Sequence, residues 1–566
     1  MPEALERLLG DPWDPANPLG YAEIVAADER REMFAAAERE LDAYGLSAEF
    51  VPAAYGGRLT TLDGLVRIMR PVWRRDPTLG LGYGLSSFIA AVNVWTSGSP
   101  DQQKRLAEQL LGGGRVVTGY HELAHGNDFA RTELTAYGRR LNGAKEVVAN
   151  ARRAESMVVF ARTSPEQGSR SHAQLLLSKA DLPPDRLAYL PRFGSMGMRG
   201  LDLGGIVFTE CPMPADALLG SPGEGMETAL RSFQVTRIAL PAMMVGILDT
   251  GLRSVLRFAT ARRLYGRTAA DIPYLRATLA GSFADLLLCD AFCTVAARAV
   301  HVLPGEAGVY ASLVKYIVSQ RLIDAMDRLS RVLGAHFYIR QGDYAIFQKL
   351  LRDVSVVGFG HAARVACLAT VLPQMPRLAR RADPVAEGVL DPLFRLDADL
   401  PPLDFSRLAV TSARGRVESL SAVLRTVAGQ AGADPELRRL AMVFVAELNE
   451  LEAGAGQLRP RDLGVDASPD ALAVPARFAA VLAAGAVLGT WWHARSGFLA
   501  DPVWAVAALT RLAADLGHGD GQLSGAPAER LAAELAGRFA GARALTWQTA
   551  RYPGDMNEGD VRGRST

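Results

Sequence analysis

Apolar residues spaced three and four apart predict helices over most of the first 115 positions. Segments 22–44 and 100–111 carry this period, and Ser99-Pro100-Asp101 is a helix-start signal. Gly56-Gly57 breaks the stretch VPAAYGGRLTTLDGL (51–65), and Gly112-Gly113-Gly114 closes the block. The texture then changes to short apolar runs bounded by turn residues: RVVTGY (115–120), ESMVVFAR (155–162), AQLLLS (173–178) and GGIVFTE (204–210). These read as strands of a compact β domain. After the Gly/Pro turn in LLGSPGEGMETAL (218–230), the helical period returns near 226–260, 274–302, 307–331 and 343–372. Four long helices with short connections predict a bundle. Proline recurs from 373 to 404, at Pro373, Pro376, Pro384, Pro392, Pro401 and Pro402, as expected of a linker or irregular wrap. Residues 405–550 are helical and Ala-rich, and the final RYPGDMNEGDVRGRST reads as frayed.

The pattern predicts an α+β, mostly α chain. It comprises an N-terminal helical domain (1–115), a central β-barrel-like domain (116–217), a four-helix bundle (218–375) and an additional C-terminal helical domain (376–566). At roughly 150 residues per domain, 566 residues accommodate this division. Basic and acidic residues balance at 62 and 61, which removes any global electrostatic footprint for nucleic acid. Only five of the basic residues are Lys (104, 145, 179, 315 and 349), a bias that reads as GC-rich coding. Four Cys make no disulfide framework, and no His completes a metal site around Cys289 and Cys293. The acidic N-terminus with an early Pro does not resemble a signal peptide. The longest apolar run, Phe478 to Trp492, falls short of the roughly 20 residues that span a bilayer. The expectation is a cytoplasmic protein with no membrane span.

Seven fragments in order carry a resemblance to one family. They are VPAAYGG (51–57), VWRRDPTLGLGYG (72–84), GYHELAHGND (119–128), LNGAKEVVANA (141–151), GMRGLDLGGIVFTECPMP (197–214), SFQVTRIALPAMMVGILDTGLR (232–253) and ARRLYGR (261–267). Residues 20–375 resemble the acyl-CoA dehydrogenase superfamily. The resemblance implies FAD, bound between the β domain, the bundle and a neighbouring subunit. It also implies an acyl thioester substrate, carried by CoA or a carrier protein, and a homo-oligomer or hetero-oligomer. A carboxylate removes the α-proton in this family while the β-hydrogen passes to the flavin as hydride. Carried over residue by residue, Tyr120, His121, Gly126, Asn127 and Ala149 would lie against the cofactor. Arg262, Tyr265 and Gly334 would meet it at the end of the bundle. Arg237 and Thr236 would line the thioester site.

Several positions depart from the family pattern. Val147 and Ala149 replace a Trp and a Thr, so a hydroxyl near the flavin is lost. Arg331 and Ala335, in RVLGAHF (331–337), replace a Gln and a Gly. The family glutamate falls nine residues beyond the Arg of an Arg-Asp pair; that pair is Arg352-Asp353, and the ninth residue is His361. The alternative glutamate position, just before Arg237, holds Thr236. His361 is therefore the candidate base, since imidazole is largely neutral near pH 7. Three readings stay open: an acyl thioester dehydrogenase, a flavin-dependent monooxygenase or hydroxylase that needs no such base, and a non-catalytic partner subunit.

Overall fold

In a computed structural model, residues 2–166, 168–378, 388, 390–410, 419–430, 434–464 and 466–547 are described. Pro384 and the segment 551–566 lie outside them. The N-terminal region is helical. The helical period over 22–44 is carried by two helices, Tyr21–Arg30 and Ala35–Tyr44, parted where Arg31 caps the first in a left-handed conformation. Leu62–Arg75 begins at Thr61, whose hydroxyl accepts from the Gly64 amide. Pro100–Leu111 opens on a reciprocal capping box between Ser99 and Gln102.

Eight strands follow: β1 (Val116–Gly119), β2 (Thr135–Tyr137), β3 (Arg140–Ala149), β4 (Ser156–Arg162), β5 (His172–Ser178), β6 (Leu187–Leu190), β7 (Leu203–Pro212) and β8 (Leu218–Leu219). The order is β6-β7-β3-β2-β4-β5-β8, with β1 parallel to β4. No pairing joins β6 to β8 among the described residues, so the sheet path is open where a barrel-like closure was expected. The pairing of β3 with β7 shifts register between Lys145 and Val148. A bulge there turns the strand, and Val147 makes a lone bridge to His121.

Three long helices, Gly225–Ala261, Pro273–Val302 and Ala307–Leu333, then pack on one another through apolar faces. Gly225–Ala261, Pro273–Val302 and Pro469–His493 each include a stretch long and apolar enough to cross a membrane, where the longest uninterrupted apolar run fell short. The stretch in Pro469–His493 is 72% buried inside the protein, and those of Gly225–Ala261 and Pro273–Val302 are 100% and 94% buried.

The expected fourth helix is broken. Ala345–Asp353 gives way to a 3-10 turn at Val354–Gly358, and helix resumes only at Arg364–Val371. In a continuous helix the Val357 carbonyl would accept from the amide of residue 361. Here Lys315 Nζ and Ser319 Oγ, both from Ala307–Leu333, take that carbonyl instead. Gly358 and Gly360 lower the helix's own stability, and His361 emerges at φ +65°.

The proline-rich stretch is held through its carbonyls. Arg298 reaches those of Pro392, Arg395 and Ala398, and His301 Nδ1 lies 2.8 Å from that of Pro401. Residues 405–409 cross Gly225–Ala261, where Arg231 donates to Phe405, Ser406 and Leu408, and Gln234 to Ala409. Five further helices (Ser419–Gln430, Pro435–Ala455, Pro469–His493, Pro502–Asp515, Gly525–Ala540) join the same apolar core. Arg321, Arg328 and Arg511 all converge on Asp285, locking Pro502–Asp515 to the long helices.

Candidate active site

The break in the fourth helix aims His361 at Gly225–Ala261. His361 Nε2 lies 2.5 Å from Thr236 Oγ1. The Thr236 hydroxyl also reaches the Ser232 carbonyl at 3.2 Å, which can only accept. Its single proton goes there, so Nε2–H donates to Thr236 and Nδ1 keeps its lone pair. Among the described residues nothing hydrogen-bonds Nδ1. The Phe233 ring meets the imidazole edge-on at 4.8 Å, and the Arg237 guanidinium stands 4.7 Å from the Phe233 centroid. Pro241 has no amide proton for the Arg237 carbonyl, so the long helix loses a backbone bond at this point.

The charges here are one-sided. Arg237 is 6% exposed, and among the described residues its buried Nε has no hydrogen-bond partner. Lys315 is fully buried; burial and the neighbouring Arg237 push its pKa down to about 7. Burial, then Arg237, Lys315 and His121 in turn, hold His361 well below the usual imidazole range. Burial raises the Cys367 thiol, although Arg237 and Lys315 oppose it. Among the described residues no carboxylate pairs with Arg237 or Lys315. His361 is thus a neutral imidazole at neutral pH, inside a positive field.

The residues expected against a cofactor fall into two groups. Tyr120, His121, Gly126 and Asn127 sit where the sheet meets Gly225–Ala261, with Ala149 at the end of β3. Tyr120 is buried, donates to Asn93 Oδ1 at 2.7 Å, and meets Phe129, Phe160 and Phe233 edge-on. That makes it a packing residue. His121 is half-buried against Phe129; burial lowers its pKa, and Asn127 hydrogen-bonds it. Gly126 has φ +54°, with nothing within 4 Å of where a Cβ would stand. The turn is braced from beneath by Glu122. Its carboxylate takes Lys145 Nζ at 2.7 Å, the Thr132 hydroxyl, and the amides of Glu133 and Leu134.

Arg262, Tyr265 and Gly334 are elsewhere. Arg262 follows the far end of Gly225–Ala261, 26 residues from Thr236, or roughly 39 Å at helical rise. Tyr265 is 91% exposed. Gly334, at φ +57°, ends Ala307–Leu333. One chain does not bring these three together with the first group.

Sequence reasoning missed Lys315, Phe233 and Phe129. A signal existed for the first: three of the five lysines (Lys145, Lys315, Lys349) are at most 1% exposed. A compact ammonium fits such sites, where a planar guanidinium does not.

Residues 223–361 match the family model described as "Acyl-CoA dehydrogenase, C-terminal domain". The mitochondrial isovaleryl-CoA dehydrogenase of Oryza sativa subsp. japonica is 24% identical over 326 residues, 57% of this chain and 77% of that protein. Butyryl-CoA dehydrogenase from Megasphaera elsdenii superposes with a TM-score of 0.59 at 18% identity, covering 65% of this chain and 96% of that one. Over these residues the chain resembles the acyl-CoA dehydrogenase superfamily in sequence and fold. A structure titled "FAD complex of PigA" shares the fold at a TM-score of 0.56 and 18% identity, over 61% of this chain and 91% of that one. Within this frame, both positions where the superfamily places its glutamate are non-acidic here. They touch each other, as Thr236 and His361.

Proposed function

We propose that the chain is a flavin-dependent oxidoreductase that removes hydrogen from Cα and Cβ of an acyl thioester. The observation that carries this reading is the Thr236–His361 contact, which leaves one imidazole lone pair free at the superfamily's base position. His361 Nδ1 accepts the α-proton. Thr236 fixes the ring through Nε2–H, and Phe233 restricts its tilt. Arg237 and Lys315 keep His361 unprotonated before reaction. Their field also favours the negative charge that develops on the thioester carbonyl as the proton leaves.

The donor set suits FAD. Glu122 is withdrawn into its ion pair with Lys145, which leaves Gly126 and Asn127 of the turn to meet an anionic group. His121 and Ala149 would flank the ring, Ala149 offering backbone alone. FAD, when bound, supplies the acceptor for the β-hydrogen as hydride. Arg262, Tyr265 and Gly334 would serve a second copy's cofactor, since they lie beyond reach of this chain's own site. Exposed Tyr265, Tyr274, Tyr338 and Ile339 support an oligomer. A cytoplasmic setting belongs to the same proposal, supported by four buried free thiols.

Anaerobic mixing of the flavin-loaded protein with acyl-CoA and acyl-pantetheine thioesters tests the reading. Bleaching of the flavin absorbance is expected. Failure to take up FAD, or flavin that stays oxidised with every thioester, overturns it. Reduced flavin that consumes oxygen and hydroxylates substrate would favour the hydroxylase reading.

A further inference from the structure

Phe233, which packs against the imidazole, and Arg237 also line a cavity of about 200 Å³. Leu230, Phe233, Gln234 and Arg237 of Gly225–Ala261 form one wall, Ser312 and Thr370 line others, and Val410 lines it beside the strap that crosses the long helix. The cavity is apolar apart from a few groups, and two of these are unsatisfied. Among the described residues Arg237 Nε and Gln234 Oε1 are buried without partners, and their residues are 6% and 3% exposed. A buried guanidinium is ordinarily paired, because leaving its charge uncompensated is costly. Buried Arg298 meets Asp63, and buried Arg321 meets Asp285 and Asp515, while buried Arg75 is satisfied by the carbonyls of Leu19 and Gly10. Among the described residues Arg237 has no such partner and stands over the face of Phe233.

We propose that this cavity receives a carboxylate borne by the substrate itself, paired with Arg237. The inference rests on the acyl-thioester reading and narrows it to acyl groups ending in an anion. A planar carboxylate matches the guanidinium fork, and the stem that carries it would lie against Leu230, Phe233 and Val410. Of the polar residues on the wall, Gln234, Ser312, Thr370 and Gln374 are neutral, and Arg237 carries the charge that an anion would meet. The pairing has a consequence for the base. Arg237 is one of the charges that oppose protonation of His361, and a carboxylate on it cancels that opposition. The right substrate would thereby make His361 a better proton acceptor.

Calorimetric titration of the full chain with two synthetic thioesters tests this: S-glutaryl-pantetheine, which ends in a carboxylate, and S-glutaramyl-pantetheine, its neutral amide. The carboxylate form is expected to bind at least tenfold tighter. In Arg237→Gln the two affinities should fall within twofold of each other. Arg237→Lys, which keeps the charge and loses the fork, should retain part of the preference. Val410→Trp, which fills the cavity and leaves Arg237 in place, should weaken the glutaryl form at least tenfold and serves if Arg237 variants do not fold. Equal affinities in the unaltered chain, or a preference that survives both Arg237→Gln and Val410→Trp, overturns the proposal. Inorganic phosphate displacing the glutaryl thioester at equal concentration also overturns the assignment to a carboxylate. Flavin bleaching by the neutral thioester without any binding preference defeats this inference and leaves the dehydrogenation reading standing. A carboxylate preference without flavin reduction does the reverse.

Discussion

At the residue scale the chemistry gathers on His361, whose neighbours decide its protonation. Its pKa lies below the unfolded value, so the folded state resists the proton that the unfolded chain accepts. The contribution of His361 to stability is complete above about pH 6.5 and falls as pH drops through the lowered value. Lys315→Met removes one of the cations responsible and should move the acid limb of the kcat/KM profile to higher pH, read from pH–rate measurements. His361→Ala should slow exchange of the substrate α-proton by about 10²–10⁴-fold, the range of general-base contributions, while flavin content is unchanged. Near-normal exchange would sink the base assignment. His361 was legible in the sequence from its spacing after Arg352-Asp353. Its partner was not, because Thr236 lies 125 residues away in the chain.

At the scale of elements, the decisive feature is a helix that stops. The period over 343–372 is helical, and nothing local in it announces that Lys315 and Ser319 will capture the Val357 carbonyl. A glycine pair permits the break, and a contact from another helix imposes it. The turn at 119–128 shows the same division. Glu122 and Lys145 read as family landmarks, yet they form a buried ion pair beneath the turn, with Lys145 lowered to about 8 by burial. Glu122→Leu would strand Lys145 without its carboxylate. A loss of about 3–5 kcal/mol is expected in urea unfolding, as for other buried pairs that lose one partner.

At the scale of the whole molecule, Asp285 and its three arginines fasten Pro502–Asp515 to the long helices. These arginines pull the Asp285 carboxyl below its ordinary range against the cost of burial. Asp285→Asn removes the charge all three share, so a drop of about 3–5 kcal/mol and faster proteolytic release of residues beyond 500 are expected. The exposed aromatics at the far end of the long helices make a separate prediction. Tyr265→Glu with Tyr338→Glu should lower the mass found by light scattering; a chain that is monomeric before substitution would count against the oligomer. Neither the hub nor the strap was visible beforehand. Arginine is so abundant in this sequence that no single one stands out, and carbonyl contacts leave no residue pattern.

The sequence by itself determined the order of helix, strand and helix, the family frame and the loss of its glutamate, because period, turn chemistry and motif spacing are local properties. The tertiary structure decided what stands in place of that carboxylate: a neutral imidazole tied to Thr236, two buried basic side chains, and a cavity lined in part by Val410 beside the strap. Those facts depend on which groups burial brings together and which it leaves unpaired. Desolvation and Coulomb interactions act across space, between residues that the sequence holds more than a hundred positions apart.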